Sequence, residues 1–276
     1  MSVRSPAGPS NWASPAGSNP LDTGPSTVTK LGESWQSLVE FDLELNPHAN
    51  GWASPGSRRL AARLAHIAPG PFDPRTLIAD PRGWLGLLVV EGIALVQVDA
   101  GRAPIGWLVG ADDVIRPWEM DAVSLLGGAS WQALTPLRIA LLDADFARRV
   151  AGLSAVADAL VAKAMQTSHW LFGKSLVTGT SVIEERLLLL FALLGERWGK
   201  ATSAGVVVAM PLTHQVLATL IGARRPSVST ALRGLSAAGL LKRTAEGWLL
   251  CRTSHNGRPR PRCWRQYAEA LGLAVS

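Results

Sequence analysis

Cysteine is nearly absent from this 276-residue chain, and the two that occur, Cys251 and Cys263, sit close to its C-terminus. Their spacing fits no zinc or iron–sulfur pattern, and a disulfide between them would be unusual in a reducing compartment. Long apolar runs are missing too. The longest, Leu187 to Leu194, is far too short to span a bilayer. Met1 to Pro25 lacks the apolar core of a signal peptide. The expectation is a soluble cytoplasmic protein with no membrane partner. Catalytic groupings are also missing. The five histidines (His48, His66, His169, His214, His255) are scattered, and no Ser-His-Asp set, Walker loop, metal-ligand cluster or dinucleotide fingerprint appears. The chain therefore reads as a non-enzyme with no resident metal or cofactor. Haem on His169 has little support, because a lone helical histidine is far more often structural or exposed.

Acidic residues are scarce in one region only. From Lys200 onward there are 11 Lys or Arg against 2 Asp or Glu, a net of +9, whereas residues 1–199 carry a net of −3. A footprint for a polyanion is thereby confined to the last quarter of the chain.

The stretch from Leu212 to Leu235 lies in that quarter. Thr213 suits a helix N-cap, its hydroxyl accepting a first-turn N–H. Val216, Leu217, Leu220 and Ile221 then recur at helical spacing, and Gly222 follows where a helix should stop and turn. Pro226 fits a first helical turn, and Val228, Leu232 and Leu235 give a second apolar face. Two short helices about a glycine turn predict a helix-turn-helix. The outward face of the second helix carries Arg224, Arg225, Ser227, Ser229, Thr230 and Arg233. Arginine pairs bidentately with guanine or grips phosphate, and hydroxyls reach either. Arg225, Ser229 and Thr230 are the candidates for base edges. Arg224, Ser227 and Arg233 are candidates for phosphates, as is His214 on the first helix, and Thr213 beside it is counted with the DNA-binding residues. The competing reading is a two-helix packing unit with a solvated basic face. Downstream, Leu240-Leu241-Lys242-Arg243 and Trp248-Leu249-Leu250 about the turn Thr244-Ala245-Glu246-Gly247 predict a small β-wing. That places Lys242 and Arg243 against phosphates, or makes them ordinary surface charge. Double-stranded DNA is the predicted partner.

Upstream, residues 1–30 are rich in Pro, Gly, Ser and Asn and read as disordered. Short helices are expected over 33–45 and 57–67. From Trp84 the pattern turns to short β-type runs: Leu85 to Val90, Ile93 to Val98, Ile105 to Val109, Ser130 to Leu134 and Leu137 to Leu142. Gly, Pro and Asp punctuate them, as in a small antiparallel roll. A long helical region begins near Asp143, with an apolar stripe through Leu153, Val156, Leu160, Val161, Trp170 and Leu171. It suits pairing with a second copy, or packing within its own chain. Gly173 and Thr178 to Ser181 are expected breaks. A second helix is expected from Val182 to Trp198, with Glu184 and Glu185 at its N-terminal end.

This order resembles the Crp/Fnr family of bacterial transcription regulators. The resemblance rests on Leu212-Thr213-His214-Gln215-Val216-Leu217-Ala218-Thr219-Leu220-Ile221-Gly222 with Arg225-Pro226-Ser227-Val228-Ser229, and on Glu185 to Leu190, Leu88 to Gly92 and Ala133 to Asp143. It implies an α+β fold: an N-terminal antiparallel β-roll of the cupin-like jelly-roll kind, a long dimerisation helix and a C-terminal winged helix-turn-helix. The corresponding divisions are a disordered segment 1–30, a cyclic-nucleotide-binding-like sensory roll 31–150, a dimerisation helix 151–180, the winged helix-turn-helix 181–251 and a basic tail 252–276. It further implies a homodimer on a two-fold operator. Arg225 falls where the family places a guanine-reading arginine. Pro226 replaces a common base-reading Glu, and Thr230 stands where some members carry Arg, so a different operator is implied.

The sensory roll departs from the nucleotide-binding members. Between Trp107 and Trp131 neither the Gly-Glu pair nor the Arg-Ser or Arg-Thr is found. Arg116 is the only cation among Asp112, Asp113, Glu119 and Asp121, which disfavours a cyclic-nucleotide phosphate. Trp107, Arg116, Trp118 and Trp131 could shape a pocket for an unidentified small-molecule effector. The preferred reading is that these tryptophans fill the roll's core, with Arg116 paired to a local carboxylate. The leading reading is thus a sequence-specific regulator. Its alternative is an effector-independent architectural DNA-binding protein.

Overall fold

The computed structural model describes residues 31–37, 61–99, 101, 103–120 and 128–251. The expected disordered segment 1–30, the basic tail 252–276 and Cys263 lie outside these residues. The architecture is α+β, with antiparallel sheets throughout.

Two sheets make up the N-terminal unit. The first has the order β1 (Leu31–Ser37), β2 (Ala61–Ile67), β9 (Leu137–Leu142), β4 (Gly86–Glu91), β7 (Val114–Ile115). The second has the order β3 (Gly70–Phe72), β8 (Ser130–Ala133), β5 (Ile93–Val98), β6 (Ile105–Gly110). The two-residue alternation of a strand sorts their side chains into layers. Ala65, Ile67, Leu87, Val89, Ala94, Val96, Val109, Leu137, Ile139 and Leu141 point between the sheets, with Phe72 and Trp131, and form the unit's interior. Leu64, Leu88, Ala140 and Leu142 point the other way, onto Phe146 and Val150 of α2 (Ala144–Val150) and Val156 of α3 (Ser154–Gly179). Strands covered on both faces read as continuous apolar runs, which is why β4, β5 and β9 were legible.

Helices were expected over 33–45 and 57–67. Residues 31–37 and 61–67 are strands instead, paired with each other, and β2 also pairs with β9. Ala61-Ala62-Arg63-Leu64-Ala65-His66-Ile67 has good helix formers, but ladder bonding and burial override that weak preference. The short helix α1 is Pro117–Met120.

The long helical region is two helices. α2 is capped by the buried Asp143, whose Oδ1 accepts from Phe146 N–H at 2.8 Å and whose Oδ2 accepts from Arg63 Nη2 at 2.8 Å. α3 runs unbroken through Gly173, contrary to the expected break there. A Cβ on Gly173 would stand 3.1 Å from Leu193 Cδ2, so this glycine serves close helix packing rather than a kink. The helix partner is α4 (Ile183–Trp198).

The C-terminal unit combines α4, α5 (His214–Ile221) and α6 (Arg225–Ala237) with a sheet of order β10 (Gly199–Thr202), β11 (Gly205–Val208), β13 (Trp248–Cys251), β12 (Leu241–Arg243). The β10–β11 hairpin was not anticipated. It extends the two-stranded wing to four strands. One continuous core joins this unit to the second sheet: Ile93, Leu95 and Leu108 share it with Trp170, Val177, Leu190, Phe191, Leu217, Leu232 and Trp248. Among the described residues, no helix is long and apolar enough to cross a membrane.

Candidate nucleic-acid interface

Caps set the first helix of the motif, and a first-turn proline opens the second. Thr213 Oγ1 accepts from Val216 N–H at 3.2 Å and starts α5. Gly222 ends it in the left-handed region at φ 62°, ψ 43°, which only glycine adopts at no steric cost. Pro226 lies in the first turn of α6. Arg186 of α4, not foreseen as part of the site, braces this turn. Its Nε donates to Thr180 O at 2.7 Å and its Nη1 to Ile221 O at 3.2 Å. It thus ties the α3–α4 joint to the C-terminus of α5, where a cation also complements the helix dipole.

Val228, Ala231, Leu232 and Leu235 of α6 face the core, leaving Arg225, Pro226, Ser227, Thr230 and Arg233 exposed on the opposite side, with Arg224 just before the helix. Thr230 Oγ1 accepts from Arg233 Nη2 at 3.3 Å. Ser229 is placed differently. Half-buried, its hydroxyl lies 2.9 Å from His214 Nδ1 and donates to Arg225 O at 3.1 Å. His214 also meets the Trp248 ring, with centroids 6.4 Å apart. Ser229 and His214 therefore brace α5 against α6 and the wing, with the Ser229 hydroxyl and His214 Nδ1 engaged within the motif. No local sequence signal marks this pair, since its members lie 15 residues apart on separate helices.

Trp248 anchors the wing. Its Nε1 donates to Leu212 O at 3.1 Å, its ring packs on Phe191 at 5.4 Å, and the Arg243 guanidinium lies 5.1 Å above it. Lys242 and Arg243 remain exposed on β12. At the end of the wing sheet Cys251 is buried, and that burial pushes its thiol pKa up. A groove of about 470 Å³ lies between the N-terminus of α4 and α6, with Glu184, Pro226, Ser227 and Thr230 on its walls.

Residues 185–252 match the model of the Crp-like helix-turn-helix domain. This segment is similar to that domain over about a quarter of the chain. The comparison with curated proteins finds no match. Among solved structures the chain is similar to a cyclic nucleotide-binding domain containing protein from Listeria monocytogenes EGD-e (17% identity, 72% of this chain and 93% of that one, TM-score 0.57). It is also similar to a CooA mutant from Carboxydothermus hydrogenoformans (16%, 88% and 98%, 0.55). A third is a CRP-family transcriptional regulator from Thermus thermophilus (16%, 76% and 98%, 0.51). At such identities the likeness shows a shared fold. The shared fold comprises the two-sheet unit, the long helix and the C-terminal unit that matches the Crp-like helix-turn-helix model.

The residues considered for an effector pocket are Trp107, Arg116, Trp118 and Trp131. Trp131 is buried between the sheets, edge-on to Phe72 at 6.0 Å, and Trp107 packs partly buried on the same interior. Arg116 pairs with Glu119 at 2.9 Å and lies 5.3 Å over Trp118, which meets Trp84 edge-on at 6.4 Å. Residues 121–127 of that loop, Asp121 included, lie outside the described residues. His169 is exposed on α3.

Proposed function

We propose that this chain is a sequence-specific transcription regulator that binds duplex DNA as a homodimer. The observation that carries the proposal is the exposed face of α6. Arg225, Ser227, Thr230 and Arg233 are exposed, on a helix that starts at a first-turn proline and is seated on the core by Val228, Ala231, Leu232 and Leu235. Arg225, at the N-terminal end, is suited to a guanine edge, and Thr230 one turn later to a base or phosphate. Arg224, Ser227 and Arg233 are suited to the backbone, as are Lys242 and Arg243 of the wing. With Ser229 and His214 held inside the motif, their part is to position α6.

The dimer rests on α3. Val161, Met165, Phe172 and Leu176 are exposed apolar side chains spaced by four and seven residues along one helix, and this is the pattern of a helix–helix seam. Two recognition helices would then meet successive major grooves, about 34 Å apart. The pairing of Arg116 with Glu119 supports the reading that a cyclic-nucleotide phosphate is not held by the usual contacts. Trp107, Arg116, Trp118 and Trp131 remain the residues through which an unidentified effector would act.

Selection from a random duplex library, followed by sequencing, tests the proposal. A two-fold symmetric motif is expected. Binding with no preferred sequence at physiological salt would instead favour an architectural protein that reads shape and backbone.

A further inference from the structure

The turn Gly110 to Asp113 leaves β6 and places two consecutive carboxylates beside α3. Asp112 takes a positive φ of 74°, a conformation Asp tolerates better than most residues, and Asp112 N–H donates to Val89 O at 2.9 Å. Asp112 pairs with Lys163 of α3. Asp113 is 1% exposed, and three different parts of the molecule converge on it. Gly110 N–H donates to its Oδ2 at 2.8 Å, within the two-sheet unit. The Thr167 hydroxyl of α3 donates to its Oδ1 at 2.7 Å. Arg197 Nη2, from α4 of the DNA-binding unit, donates to the same oxygen at 2.7 Å. The Arg197 guanidinium lies 4.3 Å from the Trp198 ring and 5.5 Å from the Trp170 ring, and these rings are edge-on to each other. Its direction is fixed by aromatic stacking as well as by charge.

Next to this clamp, the outer face of β6 is cut flat. Gly106 and Gly110 lie on the same side of the strand, with Leu108 between them in the shared core. A Cβ at Gly106 would stand 2.7 Å from Thr219 Cγ2 of α5, and one at Gly110 would stand 2.8 Å from Trp198 Cζ2 of α4. The first helix of the motif thus sits directly on the strand backbone. In this docked arrangement the recognition face of α6 stays exposed, so the contact does not mask it.

We infer that Asp113 is a positioning residue. Through Arg197 and Thr167 it fixes the angle of the DNA-binding unit against both the β6 platform and the seam helix α3. It thereby sets the separation of the two recognition helices in a dimer. This inference rests on the dimeric, DNA-binding reading. A rigid pair of heads gains from double engagement only at one spacing, whereas loosely attached heads lose both that gain and the spacing preference.

The experiment uses the full chain, with Asp113→Asn and Arg197→Met as variants. The second leaves the Gly110–Asp113 turn bond in place and so guards against misfolding of the turn. Affinity is measured on duplexes carrying one half-site, two half-sites at the selected spacing, and two half-sites moved apart by a few base pairs. Both variants are expected to bind the single half-site as the wild type does. On the paired site they should lose about tenfold or more and lose the preference for one spacing. Hydrogen exchange of the free protein supplies a readout independent of DNA. Amides of α5 and β6 should exchange about tenfold faster in the variants, with those of β9 unchanged. Wild-type spacing preference and wild-type α5 and β6 protection in both variants would overturn the inference. A wild type indifferent to pairing of half-sites would sink the dimer reading by itself, and the exchange measurement would then decide the positioning role alone.

Discussion

Lys174 supplies a quantitative test of the packing between α3 and its neighbours. It shares the buried face of α3 with Trp170 and Val177 and has no carboxylate partner among the described residues. Desolvation lowers its pKa from 10.5 to about 8. Between those values the unfolded chain holds a proton that the folded chain has released, so stability rises as pH increases through that window. Below about pH 8 both states are protonated, and the folded state carries the full cost of an ammonium in apolar surroundings. At about 1.4 kcal/mol per pH unit the cost is on the order of 3 kcal/mol. Lys174→Met keeps the length of the side chain and removes the charge. At pH 7 it should stabilise the protein by about 1–3 kcal/mol, less any strain from repacking. Urea unfolding from pH 7 to pH 10, at fixed protomer concentration, measures the difference between the two proteins. That difference should shrink steadily as pH rises. Cys251 works in the opposite direction: its folded pKa is raised above 9.0, so it lowers stability as pH rises past that value. The term is common to both proteins and cancels. A difference that stays constant from pH 7 to pH 10, or a destabilised Lys174→Met at pH 7, would refute the argument.

Three other outcomes are expected. Arg225→Ala should weaken binding to the selected duplex by about 1–3 kcal/mol and relax the sequence preference at one position, so an unchanged motif on repeat selection would remove Arg225 from base reading. Phe172→Glu, at an exposed point of α3, should shift sedimentation at micromolar concentration from dimer to monomer, since burying this ring is worth about 2–3 kcal/mol in each protomer; a variant that still sediments as a dimer would place the seam elsewhere. Titration calorimetry with cyclic AMP and cyclic GMP should show no binding, and micromolar affinity for either would show that the loop around Arg116 holds a phosphate after all.

Conformation was legible in the sequence where local chemistry sets it. The Thr213 cap, the Gly222 turn, Pro226 at the start of α6 and the wing hairpin all followed from side chains acting within a few residues of themselves. The apolar runs of β4, β5 and β9 were recognisable because both strand faces are covered. Residues 61–67 misled because their helix-forming composition competes with ladder pairs to β1 and β9 that no window of sequence contains. Gly173 misled for a related reason: a glycine that permits close packing against Leu193 looks the same in sequence as one that ends a helix.

By itself the sequence determined the helix-turn-helix, the sign of its charge and the order of sheet, long helix and helix-turn-helix unit. All of these are encoded by periodicity, capping and composition along the chain. The tertiary structure alone decided which polar side chains face outward. Ser229 and Arg225 look equally available in sequence, yet one hydroxyl is engaged by His214 while the arginine stays exposed. It also brought Asp113 to Arg197 across 84 residues and set α5 on the glycines of β6. Such contacts depend on burial and direction between elements distant in the chain, and the spacing of residues along it carries neither.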